Sequence, residues 1–205
     1  MTLSKRRATY RESLRQEILD AARDLFVQQG YEATSVRRIA EKVGCSPGIL
    51  YHYFEDKAAI MAQLVRETFG RLSERMSRMA QDDAPVIDRL RRALRTYIEF
   101  GLEHPYHYAV LFGKPMVQDG KIIAVFQMEG ARCFGCLQGL TSRAIAEGAL
   151  REELQDEAEV AQALWASAHG MVSVVTNCQG FPFVEQSRLI ERQVEILVEG
   201  VRRRC

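Results

Sequence analysis

Apolar residues return every three or four positions along nearly the whole chain, and this regularity removes most fold classes before any motif is weighed. A repeat near 3.6 belongs to helices that lay one face on a core, whereas a half-buried strand alternates every second residue. No segment alternates that way between hairpin turn signals. The chain is therefore predicted to be all-α, with about nine helices separated by glycine, proline and aspartate breaks.

The first stripe is Leu14, Ile18, Ala22, Leu25 and Phe26, and Gly30 stops it as a left-handed C-terminal residue would. Val36, Ile39, Ala40 and Val43 form a short second helix behind a cap at Thr34 or Ser35. Gly44-Cys45 turns the chain. Ser46-Pro47 then opens a third helix with an N-cap followed by proline, whose missing N–H costs nothing at that position. That helix is expected to end near Phe54. Asp56 can cap a long fourth helix with the stripe Ile60, Leu64, Leu72, Met76 and Met79. Residues 10–57 thus read as one small domain and residues 58–205 as a second, with the fourth helix from Lys57 joining them.

After Asp82-Asp83-Ala84-Pro85, a fifth helix carries Val86, Leu90, Ala93, Leu94, Tyr97 and Ile98, and stops before His104-Pro105 because a residue preceding proline disfavours the α region. A short sixth helix reaches Phe112-Gly113, and Lys114 to Gly120 reads as a loop. The seventh, at 121–147, contains Gly130, Gly135 and Gly139, each costing roughly 1 kcal/mol relative to alanine. Ala131, Gly135 and Gly139 stand four apart, which reads as a smooth face for close helix packing. The last two helices are placed at 157–178 and 185–203.

A net charge of +1 over 205 residues excludes a bulk polycation, so any nucleic-acid binding must come from a local basic surface. Residues 1–54 supply one, with nine cations against six acids and the excess concentrated at the first few residues. At 47% hydrophobic and 27% charged, the chain is globular rather than disordered. Its five cysteines, Cys45, Cys133, Cys136, Cys178 and Cys205, are scattered and odd in number, which fits a reducing compartment rather than a disulfide framework. Lys5-Arg6-Arg7 is not followed by an apolar signal region, so a cytoplasmic location is expected. Val160 to Gly180 lacks charged residues but holds Gln162, Ser167, His169, Ser173, Thr176, Asn177 and Gln179, which lipid would penalise. It reads as a helix buried in protein, with no membrane partner.

Two short helices joined by a glycine turn make a helix-turn-helix, whose second helix enters the major groove of duplex DNA while the first crosses the backbone. Ser46, Pro47, Gly48, Tyr51, His52 and Tyr53 offer hydroxyls, an imidazole and an approachable backbone there. No Lys or Arg lies between Gly44 and Phe54, which removes the commonest bidentate guanine reader and shifts positioning to phosphate contacts. Arg37 is the candidate for a phosphate or base edge, and Lys57 for a phosphate. Phe54 reads as core; the Tyr51 ring can pack while its hydroxyl reaches a phosphate.

The run from Gly30 to Ala40, with Val43-Gly44-Cys45-Ser46-Pro47-Gly48-Ile49-Leu50-Tyr51-His52-Tyr53-Phe54 and Lys57, resembles the DNA-binding domain of the TetR family across its length. That resemblance implies a mostly dimeric class of bacterial repressors released from operator DNA by small ligands. It also implies that Ser35, Arg37, Ser46, Pro47, Gly48, Tyr51, His52, Tyr53 and Lys57 face DNA. Many members place histidine directly before the phenylalanine; here Tyr53 holds that place and His52 precedes it.

His104-Pro105, Tyr108 and Phe112-Gly113, with Trp165, His169 and Gly170, resemble a TetR C-terminal subfamily named for its Trp-His-Gly residues, which implies a helical effector domain. A helix without charge on any side must be covered on more than one. Val160, Leu164, Ala168, Met171 and Val175 form one stripe of the eighth helix, and Ile190, Val194, Leu197 and Val201 mark the ninth. Helices eight and nine are therefore expected to make a four-helix homodimer interface. Trp165 and His169, with Tyr108, Phe112 and Met128, either line a cavity for an apolar or aromatic effector or are simply core. Cys133 and Cys136, and the equally spaced His104 and His107, raise the alternative of a redox- or metal-responsive regulator. The chain offers no activated nucleophile, paired acid or phosphate-cradling glycine loop, so neither an enzyme nor a cofactor is expected.

Overall fold

The computed structural model of the chain describes residues 3–80, 83–113 and 119–203. Its described residues form the helices α1 (Leu3–Gln29), α2 (Val36–Val43), α3 (Pro47–Tyr51), α4 (Lys57–Ala80), α5 (Val86–Glu103), α6 (Pro105–Phe112), α7 (Gly120–Ala146), α8 (Glu157–Asn177) and α9 (Gln186–Val201). The all-α expectation holds. One antiparallel bridge, Leu150 to Arg202, ties the loop after α7 to the end of α9. Most of the expected loop at 114–120, and the side chain of Met79, lie outside the described residues.

The helices divide into two compact units, residues 1–68 with 106–129, and residues 69–105 with 130–205. In the first, α1 packs on α2 and α2 on α3. Ile18, Leu19, Ala22, Leu25 and Phe26 of α1 bury one face, together with Ile39 and Ala40 of α2. Thr34 is not the cap of α2. It is buried, and its hydroxyl donates to the carbonyls of Gly30 at 2.9 Å and Leu25 at 3.3 Å, closing the end of α1. Ser35 is the cap, its Oγ accepting from the Arg38 N–H at 3.2 Å.

In the second unit α5 packs against α8 and α9, and α8 against α9. Leu90, Ala93, Leu94 and Ile98 of α5 meet a core that includes Val160, Leu164, Ala168 and Val172 of α8 and Ile190, Val194 and Val198 of α9. Two expectations are corrected by this packing. Ile190 and Val194 are core within one chain, so they are not available to a partner; the outward apolar residue of α9 is Ile196, 60% exposed. Among the described residues of the chain nothing lies within 4 Å of a Cβ built on Gly135 or Gly139, so they form no close helix contact within it. Close approach occurs instead at Gly130, whose added Cβ would lie 3.3 Å from the Phe69 ring.

The turn between α2 and α3 depends on backbone geometry. Gly44 adopts φ +78°, and its N–H and that of Cys45 close the helix end on the carbonyls of Glu41 and Ala40 at 3.1 and 2.9 Å. An added Cβ would meet nothing within 4 Å, so a side chain at this position suffers only from the left-handed conformation. Gly44→Ala is expected to lower stability by about 1–2 kcal/mol. Gly44→Asn should lose less, because asparagine tolerates this region better than alanine. Urea unfolding at fixed protein concentration measures both; an alanine variant as stable as the parent would contradict the assigned strain.

Candidate nucleic-acid interface and effector site

The DNA-reading candidates arise from a helix too short to bury more than one of its residues. Of Pro47–Tyr51, only Leu50 is buried, and Phe54 just beyond the helix is buried with it. Ser46 caps α3 by accepting from the Ile49 N–H at 3.4 Å, and Pro47 stands at the start of the helix. The helix ends at Tyr51 rather than Phe54; the N–H groups of Tyr53 and Phe54 both turn back to the Leu50 carbonyl. Ser46, Pro47, Gly48, Tyr51 and His52 are exposed, and Tyr53 is half-buried. Ser35 and Arg37 are exposed at the start of α2.

Two features here escape a reading of the residues alone. Ile49 is 40% exposed on α3, an apolar group on an otherwise polar outward face. Its type reads as core, and only the length of the helix reveals that one inward position is all there is. Lys57 is the second: its ammonium donates to the Tyr31 carbonyl at 2.8 Å and lies 4.1 Å from the centre of the Tyr31 ring. The two contacts fasten the start of α4 to the loop after α1, and the hydrogen bond uses one of the ammonium's three donors. The Tyr31 hydroxyl is pushed up to about 12 by burial, with Asp119, Glu32 and Asp56 adding to the effect, so it stays protonated.

Asp56 organises the same corner. One carboxylate oxygen accepts from the Ala59 N–H at 2.6 Å, and the other pairs with the Lys121 ammonium at 3.2 Å. The backbone hydrogen bond, helped by Lys121, holds its carboxyl below the usual carboxylate range, and Asp56 in turn raises Lys121. Arg23 donates to Asp20 at 2.7 Å and stands 3.1 Å from His107 Nε2; as a guanidinium can only donate, that imidazole nitrogen is the acceptor.

The five effector-site candidates fall in both units. Tyr108 is buried against Phe112, with ring centres 4.9 Å apart, and Phe112 meets Phe126 edge-on at 6.1 Å, all in the first unit. Met128, in the same unit, is 59% exposed. Trp165 and His169 belong to the second unit, where they are joined by Tyr97, a residue whose sequence pattern marks it only as part of a core stripe. Tyr97 accepts from the Trp165 indole N–H at 3.0 Å, and its hydroxyl lies 3.4 Å from His169 Nδ1. Trp165 stacks obliquely on His169 and meets Phe134 edge-on. Burial lowers the His169 pKa, which favours the neutral imidazole. The three side chains thus form an uncharged hydrogen-bonding chain with aromatic walls.

The thiol pair has a different character. Cys133 is buried, and burial pushes its thiol up to about 11, against the partial lowering from Ser73. It is therefore a neutral thiol near pH 7, the less reactive form. Cys136 lies 4.0 Å from the Ser77 hydroxyl. His104 sits edge-on to Phe100 in one unit while His107 belongs to the other. Among the described residues no three His, Cys, Asp or Glu side chains come together as a metal site, and no helix is long and apolar enough to cross a membrane.

The HTH-type transcriptional repressor AcnR of Corynebacterium diphtheriae is 47% identical over 60 residues, a match that covers 29% of this chain and 32% of that repressor. The chain thus matches about a third of the length of that relative. FadR from Bacillus subtilis, solved in complex with stearoyl-CoA, superposes with a TM-score of 0.77 at 22% identity over 90% of this chain and 98% of its own. AibR, solved with isovaleryl coenzyme A and operator DNA, gives a TM-score of 0.76 at 19% identity over 90% and 98%. At such identities these structures establish the shared fold. Residues 18–64 match the bacterial regulatory proteins of the tetR family, and residues 90–197, more than half of the 205, match the tetracyclin repressor-like C-terminal domain. The chain belongs to the TetR family of bacterial regulatory proteins.

Proposed function

We propose that the chain is a sequence-specific transcriptional repressor that acts as a homodimer and is released from its operator by a small effector. Residues 10–57 serve as the reading domain and 58–205 as the domain for effector and partner. The observation that carries this reading is the outward chemistry of α3, where Ser46, Gly48, Ile49, Tyr51 and His52 are exposed over an anchored Leu50. Ser35, Pro47 and Tyr53 complete the contact surface. Ile49 suits the methyl group of thymine, and the hydroxyls suit phosphate oxygens. Lys57 contributes through the ammonium donors that Tyr31 leaves over. The family acts in transcription, so a small helical enzyme has no support, and the neutral Cys133 thiol does not favour a redox sensor.

For the partner, we assign α8 and α9. Val174 of α8, Phe181 and Val184 of the intervening loop and Ile196 of α9 are large apolar side chains that one chain leaves 49–61% exposed. For the effector, relatives of this fold bind stearoyl-CoA and isovaleryl coenzyme A, and we infer an acyl group carried on coenzyme A here too. Tyr97, Trp165 and His169 are its polar anchor: an uncharged chain beside aromatic walls suits an uncharged carbonyl better than a free carboxylate. Trp165, His169 and Gly170 are also the residues of the Trp-His-Gly subfamily reading.

Duplexes selected from a random pool should be imperfect palindromes with half-sites about 34–36 Å apart, one helical turn. On such a duplex, Arg37→Ala is expected to weaken binding and reduce the salt slope by about 0.9 for each phosphate it no longer neutralises. A variant with unchanged slope and unchanged base preference would remove Arg37 from the interface.

Release requires the effector to favour one conformation, and a shift from 1:99 to 99:1 needs about 10⁴-fold preference. Trp165→Ala and Tyr97→Phe should therefore raise the concentration of acyl-CoA that releases DNA while leaving affinity for the operator within about threefold, or 0.65 kcal/mol. Calorimetric titration of wild type and variants with palmitoyl-CoA and isovaleryl-CoA, beside a DNA-release assay, tests this. Variants that bind and respond as the wild type does would move the effector site elsewhere.

A further inference from the structure

The hydrogen bonds around Tyr97 run in one direction, and that direction sets the polarity of the side chain at their end. The Trp165 indole N–H can only donate, so at 3.0 Å the Tyr97 oxygen accepts from it. Accepting one hydrogen bond polarises the O–H bond and strengthens the one it gives. Tyr97 is 7% exposed, so its proton has to be placed on a protein acceptor rather than on bulk water. His169 Nδ1 lies 3.4 Å from the hydroxyl, and an imidazole nitrogen without a proton is an acceptor. Burial favours the neutral imidazole, in which one ring nitrogen accepts while the other donates. With Nδ1 as the acceptor, the ring proton stands on Nε2. Packing supports the same geometry: α5, which carries Tyr97, lies against α8, which carries Trp165 and His169 one turn apart. Trp165 leans on the imidazole with ring centres 5.8 Å apart, and Phe134 of α7 meets Trp165 edge-on at 6.1 Å, so the imidazole rests on a ring that is itself held.

We propose that Tyr97 fixes His169 as the Nε2–H tautomer, and that this N–H is the donor that recognises the acyl carbonyl of the effector. Tyr97 and Trp165 are positioning residues, and His169 is the one that touches the ligand. The inference rests on the acyl-CoA reading of this site and adds the polarity of its contact: the site selects a hydrogen-bond acceptor. A thioester carbonyl is such a group. The thioether of equal chain length keeps the apolar tail and the coenzyme A and lacks the oxygen. It would set a methylene against Nε2–H and leave a desolvated donor without its partner, which costs more than a made hydrogen bond returns.

The test uses the full-length chain with isotope-labelled histidine. Ring-nitrogen chemical shifts at neutral pH distinguish the two neutral tautomers from each other and from the imidazolium. The chain has four histidines, and His169→Gln identifies one set of ring signals by its loss. His169 is expected as the Nε2–H tautomer in the wild type and as a mixture of tautomers in Tyr97→Phe. Calorimetry then compares palmitoyl-CoA with its thioether S-hexadecyl-CoA, and isovaleryl-CoA with S-isopentyl-CoA. The wild type should bind a thioester at least about tenfold more tightly than its thioether, or 1.4 kcal/mol. In Tyr97→Phe that ratio should fall toward one, whereas a merely structural role for Tyr97 would weaken both ligands alike and leave the ratio unchanged. The wild-type ratio needs no variant, so it stands even if a substitution prevents folding. His169 found as the Nδ1–H tautomer or as imidazolium in the wild type would overturn the proposal. Persistence of the Nε2–H tautomer alone in Tyr97→Phe, or equal wild-type affinity for thioester and thioether, would overturn it as well. If neither pair of ligands binds while the tautomers are as expected, the acyl-CoA reading and the carbonyl contact fall, and the hold of Tyr97 on His169 is upheld.

Discussion

A helix of five residues cannot stand by itself, because fixing its first turn costs more than its few hydrogen bonds return. The whole exposed surface of α3 depends on how that deficit is met. Gly44 turns the chain without a side-chain penalty, Ser46 caps the free N–H groups, and Pro47 arrives with its backbone angle already set. Leu50 and Phe54 are then buried, with α3 packed on α2 and the Phe54 ring beside Arg15 of α1. Burying a side chain of this size contributes about 1.5–3 kcal/mol. Anchoring falls on so few residues that the remaining ones are left in solvent, and the shortness of α3 is what leaves it an outward face.

Legibility in the sequence follows the range of the interaction concerned. Gly30, Gly44 and Ser46-Pro47 mark helix ends by local stereochemistry, and the structure places the ends of α1, α2 and the start of α3 there. Thr34 could be read as a cap because its type and position allow it; only the approach of the Leu25 and Gly30 carbonyls turns its hydroxyl inward. The end of α3 at Tyr51 depends on packing and is not written in a motif. Gly135 and Gly139 have the spacing of a packing groove, yet spacing does not say whether a neighbour is present, and among the described residues none lies within 4 Å of a Cβ built there.

The candidate site shows the same divide. Exposed Ser35, Arg37, Ser46, Gly48, Tyr51 and His52 follow from a turn motif that is local in sequence. The internal engagement of Lys57 with Tyr31 and the union of Tyr97 with Trp165 and His169 join residues 26, 68 and 72 positions apart. Tyr97 belongs to a regular apolar stripe on α5, so its periodicity marks it as core, and core it is by exposure. Its hydroxyl is what separates it from a phenylalanine, and a buried hydroxyl requires a partner. That rule would single out Tyr97 as a residue with polar business; which partner it finds is decided by the fold.

The divided carboxylate of Asp56 carries a consequence for how this sequence can drift. One oxygen caps α4 and the other holds Lys121, so the two duties make different demands on one side chain. Asparagine would retain a capping oxygen and lose the charge, whereas glutamate would retain the charge on a stem one methylene too long for the cap. Lysine at 121 thus sets a second demand on position 56 beyond the cap, from a residue 65 positions away. Without that cation, serine, threonine or asparagine at 56 would still supply the capping oxygen.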